Sequence, residues 1–184
     1  MNMQTEIIIS GFGGQGTLYA GQLLSYAAMD EGKQVTWIPS YGPEMRGGTA
    51  NCTVVISDDE IGSPTVKFPK AVIAMNLPSM DKYEAMMVPG GYFVVNSSMV
   101  NREVKRKDLH VLMIPANEIA EELGIIKAAN MVLLGGLVGN SGILRIDDLK
   151  KALHAHTPER LQKFIDKNIA ALERGASYKA SEPA

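Results

Sequence analysis

Six residues near the start of the chain, Gly11-Phe12-Gly13-Gly14-Gln15-Gly16, constrain its fold more than any other stretch. They follow the β-branched run Ile7-Ile8-Ile9 and precede a segment in which Leu18, Ala20, Leu23, Leu24, Ala27 and Ala28 recur at helical spacing. An unbroken apolar run suits a strand buried on both faces, and the periodic segment suits a helix laid against it. The expected helix covers residues 17–31, with Gly32 in the left-handed position that follows a helix. Val35-Thr36-Trp37-Ile38 returns to the extended pattern, and Pro39 is read as its stop. Strand, helix and strand make one βαβ unit, right-handed because its strands twist that way.

The alternation continues. Residues 49–57 are rich in β-branched side chains and suit a strand or hairpin edge, with Asp58-Asp59-Glu60-Ile61-Gly62 as the turn after it. Ala71-Val72-Ile73-Ala74-Met75 reads as a further buried strand, followed by a helix over 79–87, the breaker Pro89-Gly90-Gly91 and a strand over 92–95. One more strand, 111–114, is closed by Pro115. Beyond about residue 116 helices take over: 117–123, then 128–138, then 146–154 with Asp147 and Asp148 opposing its positive end. In the last helix Thr157 is the N-cap and Pro158 the first helical residue. Leu161, Phe164, Ile165, Ile169 and Leu172 form its buried stripe, and Gly175 its end. The expected fold is α/β: a single Rossmann-like three-layer domain over 1–175, with a mainly parallel sheet and a helical C-terminal third. Residues 176–184 read as a flexible tail.

Composition removes several function classes. A formal net charge of -2 gives no basic footprint for nucleic acid. One cysteine, Cys52, excludes an intrachain disulfide and cannot supply the thiolates of an iron–sulfur cluster. The start of the chain has no basic and apolar leader pattern, and the longest apolar stretch, 131–138, is too short to span a bilayer. The expectation is a cytoplasmic protein without a membrane segment.

The glycine loop satisfies G-x-G-x-x-G between a strand and a helix, where glycines permit close backbone approach and helix-start N–H groups favour an anion. A dinucleotide site also needs an acid at the end of the second strand. Ile38-Pro39-Ser40 stand there instead, and Asp30 and Glu31 lie back at the helix end. Two readings stay open: the loop meets an anion, or its glycines only let helix and strand pack closely. A second constellation, Tyr41-Gly42-Pro43-Glu44-Met45-Arg46-Gly47-Gly48, follows the second strand and so shares the sheet's carboxyl edge with the first. Glu44 and Arg46 suit acid–base and anion-binding work or a salt bridge. Tyr41, Met45 and Arg46 are residue types enriched at protein interfaces, which favours docking. No catalytic set and no metal site emerges. His154 and His156 would point to different helix faces, Cys52 has no neighbour to activate it, and Arg102, Lys105, Arg106 and Lys107 read as a solvated basic loop.

Together the two motifs, with Ala20, resemble the gamma subunits of 2-oxoacid:ferredoxin oxidoreductases acting on pyruvate, ketoisovalerate or 2-oxoglutarate. The resemblance extends over length, element order and the Ala- and Gly-rich helix within 117–142. It implies a complex that decarboxylates a 2-oxoacid on thiamine diphosphate and magnesium, passes electrons through iron–sulfur clusters to ferredoxin, and releases an acyl-coenzyme A with coenzyme A as co-substrate. It further implies that the cofactors sit on alpha, beta and delta-type partner subunits, none being held by this chain. The sequence has no Gly-Asp-Gly signature with a following Asn for a thiamine site, and no cysteine cluster. On this reading Gly11, Gly13, Gly14, Gln15 and Gly16 form an anion or coenzyme A loop. Tyr41, Pro43, Glu44, Met45, Arg46, Gly47 and Gly48 form an interface closing over partner chains. The alternatives are a coenzyme A-binding module of the same complex and a stand-alone nucleotide-binding oxidoreductase, the latter disfavoured by the missing ribose acid.

Overall fold

A computed structural model describes residues 4–42 and 48–183. Its first strand, β1 (Gln4–Phe12), lies inside a six-stranded sheet because its isoleucines serve both faces. Ile7 and Ile9 enter the larger core and Ile8 the smaller. The other strands are β2 (Gln34–Tyr41), β3 (Thr49–Ser57), β4 (Ala71–Ala74), β5 (Tyr92–Asn96) and β6 (His110–Ile114), in the order β2-β3-β1-β4-β5-β6. The pairs β1–β4, β4–β5 and β5–β6 are parallel, whereas β3 runs antiparallel to both β1 and β2. On the larger-core face lie α1 (Thr17–Asp30), α3 (Ala116–Glu122), α4 (Ala129–Ser141), α5 (Ile146–His156) and α6 (Ile165–Ala176). α2 (Leu77–Tyr83) packs on the other face through Met80 and Tyr83, so the expected three layers are present.

Within the sheet, two details differ from the sequence reading. β3 is internal, and its hairpin partner β2 forms the edge. The α1 crossover therefore joins strands that run the same way but are not neighbours. Pro39 does not stop β2, which continues to Tyr41. Gly42 N–H donates to Thr49 O at 2.8 Å, so Gly42 and Thr49 are a hydrogen-bonded pair, and Tyr41, Pro39 and Trp37 turn their backbone groups away from β3. Pro39 is one of these, on an edge strand, and removes no ladder bond.

Because α1 lies over β3, it must approach that strand closely. A Cβ at Gly21 would sit 2.3 Å from Cys52 Sγ and 3.1 Å from the Trp37 indole nitrogen. Cys52 is fully buried beneath the helix, and burial pushes its thiol up to about 12. An unfolded thiol titrates near ~8.5, so as pH rises from there the unfolded chain loses a proton that the folded chain keeps, and folding weakens progressively up to about 12. At pH 8 iodoacetamide is expected to label the native chain only as fast as it opens, and to label it rapidly in urea. Fast labelling of the native chain by mass spectrometry would contradict this.

α4 is buried from Asn130 to Val138 and crosses α6 at glycines. A Cβ at Gly175 would fall 1.8 Å from Val132 O, and one at Gly135 would fall 2.0 Å from Leu172 O. Gly175 thus lies inside α6 as a contact point and does not end it. The expected stripe of α6 is also shorter than read. A 3-10 segment, Glu159–Phe164, precedes α6 and shifts its phase, leaving Leu161 37% and Phe164 39% exposed while Ile165 and Leu172 are buried. Residues beyond Ala176, read as a tail, run back along β6: Asn140 Nδ2 donates to Tyr178 O at 2.9 Å, Ala180 N–H to Asn140 Oδ1 at 3.0 Å, and Ser181 N–H to Val111 O at 2.9 Å. Among the described residues no helix is long and apolar enough to cross a membrane.

Candidate functional site

The glycine loop closes at the carboxyl end of β1. Gly11 is forced by packing, since a Cβ there would meet Gln15 Oε1 at 2.6 Å and Met75 Cβ at 2.9 Å. Gly14 and Gly16 are forced by backbone, with φ of 94° and 78° in the region L side chains avoid. Gln15 turns inward: its Oε1 accepts the Phe12 N–H at 2.6 Å, and its amide donates to Met75 O at 3.4 Å. Gly13 differs from all of these. A Cβ there has Gly48 O, 3.7 Å away, as its near neighbour.

Gly13 also ties the two motifs together, because its N–H donates to Gly48 O at 2.9 Å. Phe12 pairs with Thr49 and Tyr41 with Ala50, so both motifs leave the sheet at one edge with the start of β3 between them. Tyr41 is 71% exposed there and Gly48 is buried. Pro43, Glu44, Met45, Arg46 and Gly47, expected at the interface, lie outside the described residues.

Asn130, not singled out in the sequence, completes the loop's support. It is almost fully buried, donates to Gly16 O at 3.0 Å, and accepts the Met131 N–H at 2.9 Å through Oδ1. One side chain thus joins the starts of α1 and α4. A polar residue ahead of the apolar run 131–138 was the available signal, because a buried amide needs partners. Nearby amides brace the other strand ends. Asn76 Oδ1 accepts the Ser79 N–H at 2.9 Å and caps α2, and Asn96 Nδ2 donates to Asn117 Oδ1 at 2.9 Å.

Beside the loop opens a cleft of about 490 Å³ lined by Gly14, Gly16, Tyr19, Ile126, Lys127, Asn130, Leu161 and Phe164, among others. Gly16 and Tyr19, at the start of α1, stand at its rim, and the first turn of a helix has N–H groups without intrahelical acceptors. Its walls are mostly apolar, and Ile126 is 80% exposed. Several titratable groups form ion pairs and ring stacks away from the cleft. Arg102 pairs with Asp81 at 2.5 Å and with Glu84 at 2.8 Å, and Arg106 pairs with Asp108 and donates to Met87 O at 2.6 Å. The Asp81 bond first, and Glu84 after it, hold the Arg102 guanidinium above its ordinary range. His156 stacks on Tyr26 with ring centres 4.3 Å apart and meets Asp30 at 2.9 Å. His110 stacks on Tyr92 at 4.6 Å. Among the described residues no three His, Cys, Asp or Glu side chains are grouped to hold a metal ion.

Comparison with known proteins gives three kinds of match. The family model described as pyruvate ferredoxin/flavodoxin oxidoreductase matches residues 6–178. The chain is 38% identical over 177 residues to ketoisovalerate oxidoreductase subunit VorA of Methanothermobacter marburgensis, covering 95% of this chain but 36% of VorA. The chain therefore spans little more than a third of that relative's length. With 2-oxoglutarate synthase subunit KorC of the same organism it shares 36% identity over 180 residues, covering 94% of this chain and 95% of KorC. The crystal structure of a keto/oxoacid ferredoxin oxidoreductase gamma subunit from Geobacter sulfurreducens superposes with a TM-score of 0.79 at 31% identity, covering 94% of this chain and 96% of that one.

Proposed function

This chain belongs to the pyruvate ferredoxin/flavodoxin oxidoreductase family, and from that premise we propose that it is the gamma-type subunit of a 2-oxoacid:ferredoxin oxidoreductase. In this role it contributes assembly and closure of the active site. The observation that carries the reading is the Gly13–Gly48 hydrogen bond, which joins the first motif to the described end of the second at the carboxyl edge of the sheet. The likeness to KorC, a 2-oxoglutarate synthase subunit matched over 95% of its length, supports it. Alpha, beta and delta-type subunits are the proposed partners, with the cytoplasm as the compartment and ferredoxin reached through the complex.

The donor set of this chain does not fit an iron–sulfur cluster, because its one cysteine is buried with a thiol raised to about 12. The clusters are accordingly assigned to partner subunits, and thiamine diphosphate with magnesium is proposed to sit there with them. The cleft beside the glycine loop favours a second reading within the same complex, contact with coenzyme A. Lys127 and the start of α1 suit a phosphate, and the apolar walls suit the remainder of the molecule.

Purified alone, the chain is expected to give no dye reduction with a 2-oxoacid and coenzyme A, and to restore turnover when added to the other subunits. Turnover by the isolated chain would sink the subunit reading. Gly13→Val, whose added Cβ would stand 3.7 Å from Gly48 O, is expected to fold and to disturb the surface shared by the two motifs. A raised Michaelis constant for coenzyme A with intact assembly supports the coenzyme A reading, and weakened assembly supports docking. Wild-type values for both would overturn the role given to this surface.

A further inference from the structure

The wall that the stretch 157–164 gives to the cleft is undercut. Behind it lies a second cavity of about 250 Å³, lined among others by Gln22, Tyr26, Ala152, His156 and Pro158. Tyr19, Thr157 and Leu161 line both this cavity and the cleft, so they are what separates the two. Leu161 therefore has a cavity on each side. Protein interiors leave few gaps of this size, and the one behind Leu161 exceeds the roughly 150 Å³ of an apolar cavity that can take up benzene. A wall backed by packed side chains is held by them, and this one is backed by room to move.

The stretch is held at its ends and not along its length. Before it, His156 bonds the Asp30 carboxylate at 2.9 Å and stacks on Tyr26. After it, Ile165 is buried and opens α6. Between them, none of the six residues of the 3-10 segment is buried. Among the described residues, the side chains of Glu159, Arg160, Gln162 and Lys163 form no hydrogen bond or ion pair. The backbone bonds are local: Leu161 N–H donates to Pro158 O at 2.8 Å and Ile165 N–H to Gln162 O. Such 3-10 bonds have poorer geometry than those of an α-helix. Few buried contacts and short-range bonds put a segment at the low end of local stability.

We propose that residues 157–164 are a movable wall, hinged at His156 and Ile165, which withdraws into the second cavity to admit a ligand to the cleft. Withdrawal keeps Leu161 in apolar surroundings, because the buried Leu23 and Ala152 line the second cavity. The return of the wall brings Leu161 and Phe164, 37% and 39% exposed in this structure, over the occupant. That the ligand is coenzyme A rests on the reading of the cleft as its site, and the motion rests on the two cavities alone.

The test uses the full chain and the reconstituted complex. In the full chain the amides of 160–163 are expected to exchange about tenfold or more faster than those of Ala171 and Leu172 in the buried part of α6. Coenzyme A added to the complex should slow them. Gln22→Trp fills the second cavity from α1, at a residue that does not line the cleft. It is expected to slow exchange at 160–163 by about tenfold and to raise the Michaelis constant for coenzyme A by a similar factor, because a site open one-tenth as often binds about one-tenth as well. Gln22→Leu, a smaller filling, should shift both in the same direction where the indole is too large for the fold. Lys127→Ala separates the motion from the ligand. If it raises the Michaelis constant while both Gln22 variants leave that constant and the exchange unchanged, the cleft keeps its ligand and the movable wall is overturned. If Gln22→Trp slows exchange but neither it nor Lys127→Ala changes the constant, coenzyme A is not the ligand, and the role given to the wall falls with it. Exchange at 160–163 as slow as at Ala171 and Leu172 overturns the motion outright.

Discussion

Gly175→Ala is expected to lower stability more than any other glycine-to-alanine change among the described residues. The added Cβ would lie 1.8 Å from Val132 O and 2.9 Å from Gly136 N, both backbone atoms of α4. A flexible side chain can turn away from such a contact, but a helix must move as a body. α4 is buried along nearly its whole length, so separating it from α6 disturbs the larger core. Overpacking of this kind costs about 3 kcal/mol or more, against a net stability of about 5–15 kcal/mol for an ordinary domain. Gly142→Ala is the comparison, because φ is 68° there but nothing lies within 4 Å of the added atom. It should cost only about 1–2 kcal/mol. A urea midpoint for Gly175→Ala no lower than that of Gly142→Ala would show that the helices do not meet this closely.

The second large effect is expected at Gly16. An alanine there is strained twice: by φ of 78°, and by Asn130 Nδ2, 2.4 Å from the added Cβ. The backbone contributes about 1–2 kcal/mol and the crowding about 1–3 kcal/mol. In the reconstituted complex turnover should fall with stability, since the loop and the start of α4 are forced apart. Asn130→Ala alone leaves the Met131 N–H without its acceptor, at a cost of about 1–3 kcal/mol. Combining the two removes the crowding but not the strain at φ. The double variant should therefore be more stable than the sum of the single effects by about 0.5–3 kcal/mol. Strict additivity in the urea midpoints would mean that Asn130 does not hold the loop.

Which parts of this were readable in the sequence follows from which interactions are local. Ile7-Ile8-Ile9, the glycines after them and the periodic run from Leu18 act within a few residues, and the structure places them as a strand, a loop and a helix. The position of β3 was not readable, because residues 49–57 have the same local pattern whether the strand closes an edge or slips between β1 and β2. Pairing is a choice between distant segments. Gly175 was ambiguous for another reason: a glycine near a helix end serves as a stop or as a contact point, and the neighbour that decides, Val132, is far away in sequence. At the site, both motifs were visible as motifs, and the fact that they meet was visible only as a shared edge. Asn130 is linked to Gly16 across more than a hundred residues, and only its polarity before an apolar run marked it.

The insertion of β3 beneath α1 has a consequence for how this sequence can vary. Position 21 on the helix and position 52 on the strand share one small volume, which Gly21, Cys52 and the Trp37 ring fill together. A larger residue at 21 is tolerated only if 52 or 37 shrinks. Otherwise α1 lifts from the sheet, carrying with it the loop whose last glycine begins that helix. Across natural variants these three positions should change together or not at all, so drift in a part of the sheet that bears no motif is held in check by the motif at the start of the helix.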